Sequence, residues 1–269
     1  MTKTLYVKEK LKIGVANSKD IFVLFAALNA LGYNDENNES GMFWIRKKIR
    51  KELFKNDWVK KYPKLKIFLK NYHQWHLLNK VLSGNRKAIP NFNDFSNNPL
   101  VEKLWRDFKN RQLEETKKIF PIFKQETKKL IKFIGNSKIP IKKMSLFFNP
   151  LDAYWRGYSF KIKNIGYIVV GPGAKKNNSE LIRHELLHIL SPKLTISSQY
   201  ITAQDIKRLS ADGYNNKSVI KREYIIRGLN LLYKKEVLKI NISKEIKNEE
   251  KKFPHIIKVI EFLKSRLPL

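Results

Sequence analysis

The 269-residue sequence contains no cysteine. This absence excludes disulfide bonds, thiolate zinc fingers, iron–sulfur clusters and cysteine nucleophiles. Any metal site in this chain must therefore use histidine, aspartate or glutamate side chains. A chain without thiols also suits a reducing compartment, and we expect a cytoplasmic protein.

Long apolar runs are missing as well. The most apolar stretch, "IFVLFAALNALG" at residues 21–32, has 12 residues and is too short to cross a bilayer. The residues before it end in Asp20 and do not resemble the start of a signal peptide. We therefore expect no transmembrane segment, and we interpret this stretch as a buried helix capped by Ser18 or Asp20.

Acidic residues are scarce: 24 Asp and Glu stand against 55 Lys and Arg, which gives a formal net charge of +31. Such a charge attracts anionic partners over a long range, so it predicts nonspecific contact with nucleic acid or other anionic surfaces. The lysines are dispersed along the chain, which is also typical of a generally solvated basic surface. No recognisable motif for reading nucleic acid accompanies the charge.

The apolar pattern changes its period once along the chain. Helical periodicity dominates residues 18 to about 136, with breaks rich in Gly, Pro, Asn and Asp. The stretches "IKKMSLFFN", "GYSFKIKN" and "GYIVVG" then predict a strand followed by a hairpin, and helical patterns return afterwards. We therefore predict an α+β fold. A mainly helical N-terminal region, residues 1–138, precedes a region with a small β-sheet and further helices, residues 139–269.

The stretch "LIRHELLHIL", residues 181–190, places three polar side chains in an aliphatic run. On a helix begun by Asn178 or Ser179, His184 and His188 project from one face, at a separation that a single zinc ion can bridge. Glu185 lies one position round the helix and can reach a water molecule at an open coordination position. This is the H-E-x-x-H arrangement of metal-dependent peptidases. The alternative is a pair of hydrogen-bonded core histidines.

A catalytic zinc site needs a third protein ligand. Glu223 is favoured because its helical neighbours Val219, Ile220 and Ile226 form an apolar stripe, where a carboxylate requires a cation. That cation is zinc or, in the alternative interpretation, Arg227 at i+4. The downstream candidates for the third ligand are Asp205, Asp212, Glu223, Glu236 and His255.

Two classes of H-E-x-x-H enzyme are excluded. Metzincins require glycine at position 191 and histidine at position 194, where this chain has Ser191 and Leu194. Peptide deformylases use a cysteine ligand, which this chain lacks.

The motif "HELLH" followed by "REYIIRGL" resembles the gluzincin branch of zinc metallopeptidases, whose third ligand is a glutamate on a later helix. The order of "DIFVLFAALNALGYN", a helical region, "GYIVVGPG", "HELLHILSP" and "REYIIRGL" resembles an uncharacterised family of predicted zincin-like metallopeptidases over most of the chain. These resemblances imply a zincin-like catalytic region with one zinc ion on His184, His188 and Glu223, and Glu185 as general base. The chain departs from thermolysin-like enzymes at Arg227, where they have aspartate.

The sequence thus predicts a zinc-dependent peptidase acting on a peptide or protein substrate, with water activated by the metal and Glu185. If "GYIVVG" lies beside the metal-binding helix, as in zincins, an extended peptide is expected to add to it as a further strand. A catalytically silent zincin-fold binding protein and a basic nucleic-acid-binding protein with structural zinc are the alternatives. The candidates for an oxyanion donor are Tyr214, Tyr224, Arg227 and His255.

Overall fold

The computed structural model describes residues 11–33, 43–135, 141–175, 179–192, 194–210 and 216–267. These residues form one four-stranded sheet and a larger number of helices, so the predicted α+β class and the mainly helical N-terminal region are confirmed. The α-helices are α1 (Lys19–Ala30), α2 (Trp44–Lys55), α3 (Trp58–Lys61), α4 (Pro63–Asn71), α5 (Gln74–Leu82), α6 (Phe92–Ser96), α7 (Pro99–Ile134), α8 (Ser179–Leu190), α9 (Ala203–Ser210), α10 (Lys217–Glu236), α11 (Ser243–Lys252) and α12 (Ile256–Lys264).

The chain divides into two compact units. Unit 1 comprises residues 1–124 and 141–182, and unit 2 comprises residues 125–140 and 183–269. Both units are discontinuous in sequence, whereas the predicted domains are continuous. The domain division at residue 138 stays a prediction.

The sheet belongs to unit 1 and has the order β1-β2-β4-β3. Strand β1 pairs in parallel with β2, β2 pairs in parallel with β4, and β3 pairs antiparallel with β4. The strands are β1 (Lys12–Val15), β2 (Lys143–Phe148), β3 (Gly157–Ile162) and β4 (Ile165–Val170). The predicted strand and hairpin are therefore confirmed, and the two-residue turn of the hairpin begins at Lys163, whose φ is 55°.

Strand β4, which contains most of "GYIVVG", lies in the interior of the sheet. It pairs with β2 on one side and with β3 on the other along all six of its residues. No side of β4 is left for a further strand, so the prediction that a peptide adds to "GYIVVG" is wrong. The antiparallel strand β3 forms the edge next to it.

Helix α1 forms the centre of the apolar core of unit 1. Its residues from Ile21 to Ala30 are all buried, which is why the sequence there is apolar on every face. The Ser18 hydroxyl accepts a hydrogen bond from the Ile21 amide at 3.2 Å, and Asp20 lies in the first turn. The prediction of a buried helix is confirmed, with Ser18 as its cap.

Unit 2 is built around α10. The Asn216 side chain caps this helix by accepting a hydrogen bond from the Val219 amide at 3.0 Å, and α10 packs against α12. A Cβ atom at Gly228 would lie 2.7 Å from Leu263 Cδ1, so glycine permits the close approach of the two helices. In the part of the chain that the structure describes, no helix has both the length and the apolar character needed to cross a bilayer.

Candidate metal centre

Within unit 2, residues 183–190 of helix α8 lie beside α10, and the two helices run antiparallel. Near the start of α8, Arg183 Nε donates to Asn230 Oδ1 at 2.7 Å; near its end, His188 Nε2 lies 3.0 Å from Glu223 Oε1. Arg222 Nη2 donates to the His188 carbonyl at 2.8 Å. These contacts show that the two helices run in opposite directions. This arrangement brings the H-E-x-x-H segment opposite Glu223.

The structure brings His184, His188 and Glu223 together, as the sequence predicts. The two Nε2 atoms of the histidines are 3.2 Å apart, and His184 Nε2 lies 3.7 Å from Glu223 Oε2. His188 Nε2 lies 3.0 Å from the other oxygen of this carboxylate, Oε1. One donor atom from each of the three side chains lies within 4.8 Å of the other two, and ligand atoms around a tetrahedral zinc with bonds of about 2.0 to 2.2 Å are roughly 3.4 Å apart. The group therefore offers two imidazole nitrogens and one carboxylate as donors to a single ion.

The three side chains differ in their exposure to solvent. Those of His184 and His188 are 22% and 21% exposed, whereas that of Glu223 is 8% exposed. Glu185 is buried next to His184 on α8. The group therefore has solvent access on the histidine side, as a site that must admit a water molecule requires.

Glu223 is ionised although it is buried. Burial alone would raise the pKa of its carboxyl, but the hydrogen bond with His188 and the nearby His184, His188 and Arg227 lower this pKa to about 2. Its buried Oε2 atom has no hydrogen-bond partner, and Arg227 Nε approaches it only to ion-pair range at 3.5 Å. Buried carboxylate oxygens normally have partners, so this oxygen is suited to a cation.

Arg227, the alternative partner of Glu223, is held mainly by a second acid. Its Nη1 atom lies 3.0 and 2.9 Å from the two carboxylate oxygens of Glu249 on α11. Its guanidinium also stacks over the ring of Phe253 at 4.6 Å. Since Arg227 contacts Glu249 more closely than Glu223, it does not by itself account for the charge of Glu223.

Arg222 fixes the end of α8 relative to α10. Besides the His188 carbonyl, it donates to the Ser191 hydroxyl and, at 3.3 Å, to the Pro192 carbonyl. Burial lowers the pKa of Arg222, an effect that the adjacent Glu223 opposes. The role of Arg222 in linking the two helices could not be predicted from the sequence. Its position directly before Glu223 in "KRE" was the only indication that it lies near the predicted ligands.

The other candidate ligands that the structure describes, Asp205, Glu236 and His255, do not join this group. Asp205 instead forms a capping box at α9, where its Oδ2 accepts from the Thr202 amide at 2.9 Å and its amide donates to Thr202 Oγ1 at 3.1 Å. Glu236 ends α10, and His255 precedes α12. Asp212 lies outside the described residues. In the described part of the chain, His184, His188 and Glu223 are the one group of three with metal-ligand spacing.

The candidates for an oxyanion donor differ in their burial and in the residues that they contact. Tyr224 is fully buried, which raises the pKa of its hydroxyl to about 12, and its ring packs on Phe253. It is therefore inaccessible to a substrate. Arg227 contacts the predicted ligand Glu223, whereas the ring of His255 lies 6.2 Å from that of Tyr200. Tyr214 lies outside the described residues.

A scan against protein-family models, a search of curated proteins and a search of solved structures found no match to this chain. The resemblance to gluzincins therefore stays a prediction from the sequence motifs. The interpretation of the site depends on its donor set and its geometry.

Proposed function

We propose that this protein is a zinc-dependent peptidase whose metal ligands are His184, His188 and Glu223. The observation that carries the proposal is the convergence of two imidazole nitrogens with the buried, ionised carboxylate of Glu223, one of whose oxygens has no hydrogen-bond partner. Two histidines and a glutamate, with one position left open, are a ligand set of catalytic zinc sites.

The donor types favour zinc over other common cations. Calcium and magnesium prefer oxygen ligands throughout, whereas two of the three donors here are imidazole nitrogens. Without cysteine, the chain cannot form the thiolate-rich sites that hold many structural zinc ions. The partial exposure of both histidines also favours an open site over a closed structural one.

When bound, zinc would polarise the scissile carbonyl and lower the pKa of a water molecule to about 7. Glu185 takes the proton from the attacking water and delivers it to the leaving amine. Arg222 keeps the ligand helices in register, so that His188 and Glu223 face each other before any ligand binds. A peptide or protein is the substrate, and the charge of +31 adds nonspecific attraction to nucleic acid and other anionic surfaces.

Two other functions use the same metal ligands. A zincin fold used only for binding, or a nucleic-acid-binding protein with structural zinc, would need the ligands but not Glu185. The presence of a carboxylate at this position, directly after a ligand histidine, favours an enzyme.

The substitution Glu185→Gln tests the proposal, because it keeps the size of the side chain and removes the base. We expect wild type and variant to contain one zinc ion per chain by mass spectrometry. Wild type should hydrolyse members of a broad peptide library, and the variant should hydrolyse the same peptides about 100-fold to 10,000-fold more slowly. Glu180→Gln on the exposed first turn of the same helix is the matched control and should leave hydrolysis unchanged.

Two results would contradict the peptidase assignment. One is a fully zinc-loaded wild type that cleaves no member of the library. The other is hydrolysis by Glu185→Gln at the wild-type rate.

A further inference from the structure

Helix α2 in unit 1 exposes bulky apolar side chains among lysines. Trp44 is 46% exposed at its first residue, and Phe54 is 54% exposed near its end. Exposed lysines occupy the positions between and after them. We call this surface the α2 basic face, which is formed by Trp44, Lys47, Lys48, Lys51, Phe54 and Lys55.

The helical period explains why these side chains share a surface. Ile45, Ile49 and Leu53 recur every fourth residue and are buried in the core of unit 1. Positions 44, 48, 51 and 55 recur at intervals of three or four on the opposite side of the helix, and positions 47 and 54 flank them. The α2 basic face is therefore one continuous stripe.

Among the residues that the structure describes, no acidic side chain pairs with the lysines of this stripe. Glu52 is the one acidic residue of α2, against six Lys and Arg. Helix α11 in unit 2 differs, since its lysines alternate with Glu245, Glu249 and Glu250.

The basic face extends onto the neighbouring helix α7. The ring of Trp44 lies 6.1 Å from that of Phe108, and the guanidinium of Arg111 lies 5.3 Å from the Trp44 ring. Lys48 Nζ lies 5.5 Å from the ring of Phe108. These contacts hold Trp44 in a half-exposed position, with cationic groups beside it.

Helix α4, also in unit 1, likewise exposes an apolar side chain between lysines, and here the side chain is aliphatic. Ile67 is 62% exposed, and its neighbours on the helix at −3 and +3 are the exposed Lys64 and Lys70. An aliphatic side chain has no ring to stack on a nucleic-acid base. It can enter the boundary between lipid headgroups and acyl chains.

We propose that unit 1 docks on the surface of an anionic phospholipid bilayer through the α2 basic face. The lysines would lie near negative headgroups, and Trp44 and Phe54 would insert at the headgroup boundary, where amphipathic and aromatic side chains are stabilised. Ten positions of helix separate Trp44 from Phe54, about 15 Å, which suits two insertion points better than a stack of adjacent bases. This inference is independent of the metal site.

Co-sedimentation of the full chain with vesicles tests the proposal. Binding is expected to vesicles of phosphatidylcholine with about 30% phosphatidylserine, and not to phosphatidylcholine alone, because each lysine near an anionic surface changes the partition coefficient by about fivefold. Substituting Lys47, Lys48, Lys51 and Lys55 together by Gln should lower this coefficient by about 600-fold, since each of the four charges contributes about fivefold. The matched control substitutes Lys235, Lys244, Lys247 and Lys251 by Gln, which removes the same charge from unit 2. It should lower binding by less than about fivefold.

A second variant separates lipid from nucleic acid. Phe54→Ser removes an exposed apolar side chain, so it should weaken vesicle binding by about tenfold and leave binding to duplex and single-stranded DNA unchanged. Thermal unfolding followed by circular dichroism verifies that each variant is folded. The proposal is overturned if wild type ignores anionic vesicles, or if the two lysine variants lose binding equally. It is also overturned if Phe54→Ser weakens single-stranded DNA binding as much as vesicle binding.

Discussion

Asp152 in unit 1 and Glu223 in unit 2 are both buried carboxyl groups, yet their pKa values are shifted in opposite directions. Burial raises the pKa of Asp152 to about 6, although Tyr33 and the Ala153 amide donate hydrogen bonds to it. Glu223 has a pKa of about 2, because the neighbouring histidines and Arg227 outweigh the effect of burial. Burial raises the pKa of both carboxyl groups, and only at Glu223 do the neighbouring cationic groups outweigh it.

The cationic side chains near these two residues also contact different atoms of them. Near Asp152, the buried Arg46 donates to the backbone carbonyl of that residue at 3.2 Å rather than to its carboxylate. Near Glu223, the imidazoles face the carboxylate itself. Both carboxyl groups have one buried oxygen without a hydrogen-bond partner, but only Glu223 has two imidazoles beside its carboxylate, as the proposed metal site requires.

The largest expected effect follows from removing the charge of Glu223. Glu223→Gln keeps the volume of the side chain but leaves two imidazoles and a neutral amide, so zinc should fall from one ion per chain to a small fraction of that. Peptide hydrolysis should be lost with it. Zinc titration by calorimetry measures the loss, and His255→Ala is the control that should keep its zinc. Loss of zinc in the control together with retention in Glu223→Gln would identify His255 as the third ligand.

A smaller effect is expected for Asp152, in the free energy of unfolding. Its pKa is higher in the folded chain, about 6, than its ordinary value of 3.8, so the folded state binds the proton more tightly. This stabilisation is complete below pH 4 and is lost as the pH rises towards 6, by about 3 kcal/mol. Asp152→Asn should remove that slope and exceed the stability of wild type at pH 7 by about 1 to 2 kcal/mol.

Urea unfolding of both proteins at pH 4, 5, 6 and 7, with a chelator present, measures this difference. Parallel curves for wild type and variant would contradict this prediction, because they would show that Asp152 has the same pKa in the folded and the unfolded chain.

The smallest effect concerns a third buried carboxyl, Asp205. Its pKa is lowered, because hydrogen bonds from Thr202 and the charge of Arg208 outweigh its burial. These partners belong to a helix cap, so Asp205→Ala should cost about 1 kcal/mol of stability and leave zinc binding unchanged. Loss of zinc in this variant would transfer the third-ligand role to Asp205.

The candidate site could be predicted because its signals are local. The spacing of His184 and His188 needs only one helix, and the apolar neighbours of Glu223 show that its side chain turns inward. The pairing of α8 with α10 then brings the predicted ligands together. The supporting contacts of Arg222 and Glu249 were not predictable, because each depends on which helix packs beside it.

The fold was less predictable where distant segments meet. The basic residues in "RKKIRK" look alike in sequence, yet Arg46 is buried because Asn29 Oδ1 and the Tyr33 carbonyl accept its hydrogen bonds. Helix α7 is one helix of 36 residues although it contains Pro121, a residue that ordinarily ends or kinks a helix. Sequence also gave no sign that Lys12–Val15 forms a strand, since its partner is far along the chain.

The parallel pairing of β1 with β2 sets a minimum time for folding during synthesis. Lys12 pairs with Lys143, so the ribosome must add 131 residues after β1 before its partner exists. At about 5 to 20 residues per second this takes roughly 7 to 26 s. Throughout that interval the apolar α1 has no completed sheet to pack on. During this interval the large positive charge slows aggregation, because nascent chains of like charge repel one another. This effect does not depend on the binding of any ligand.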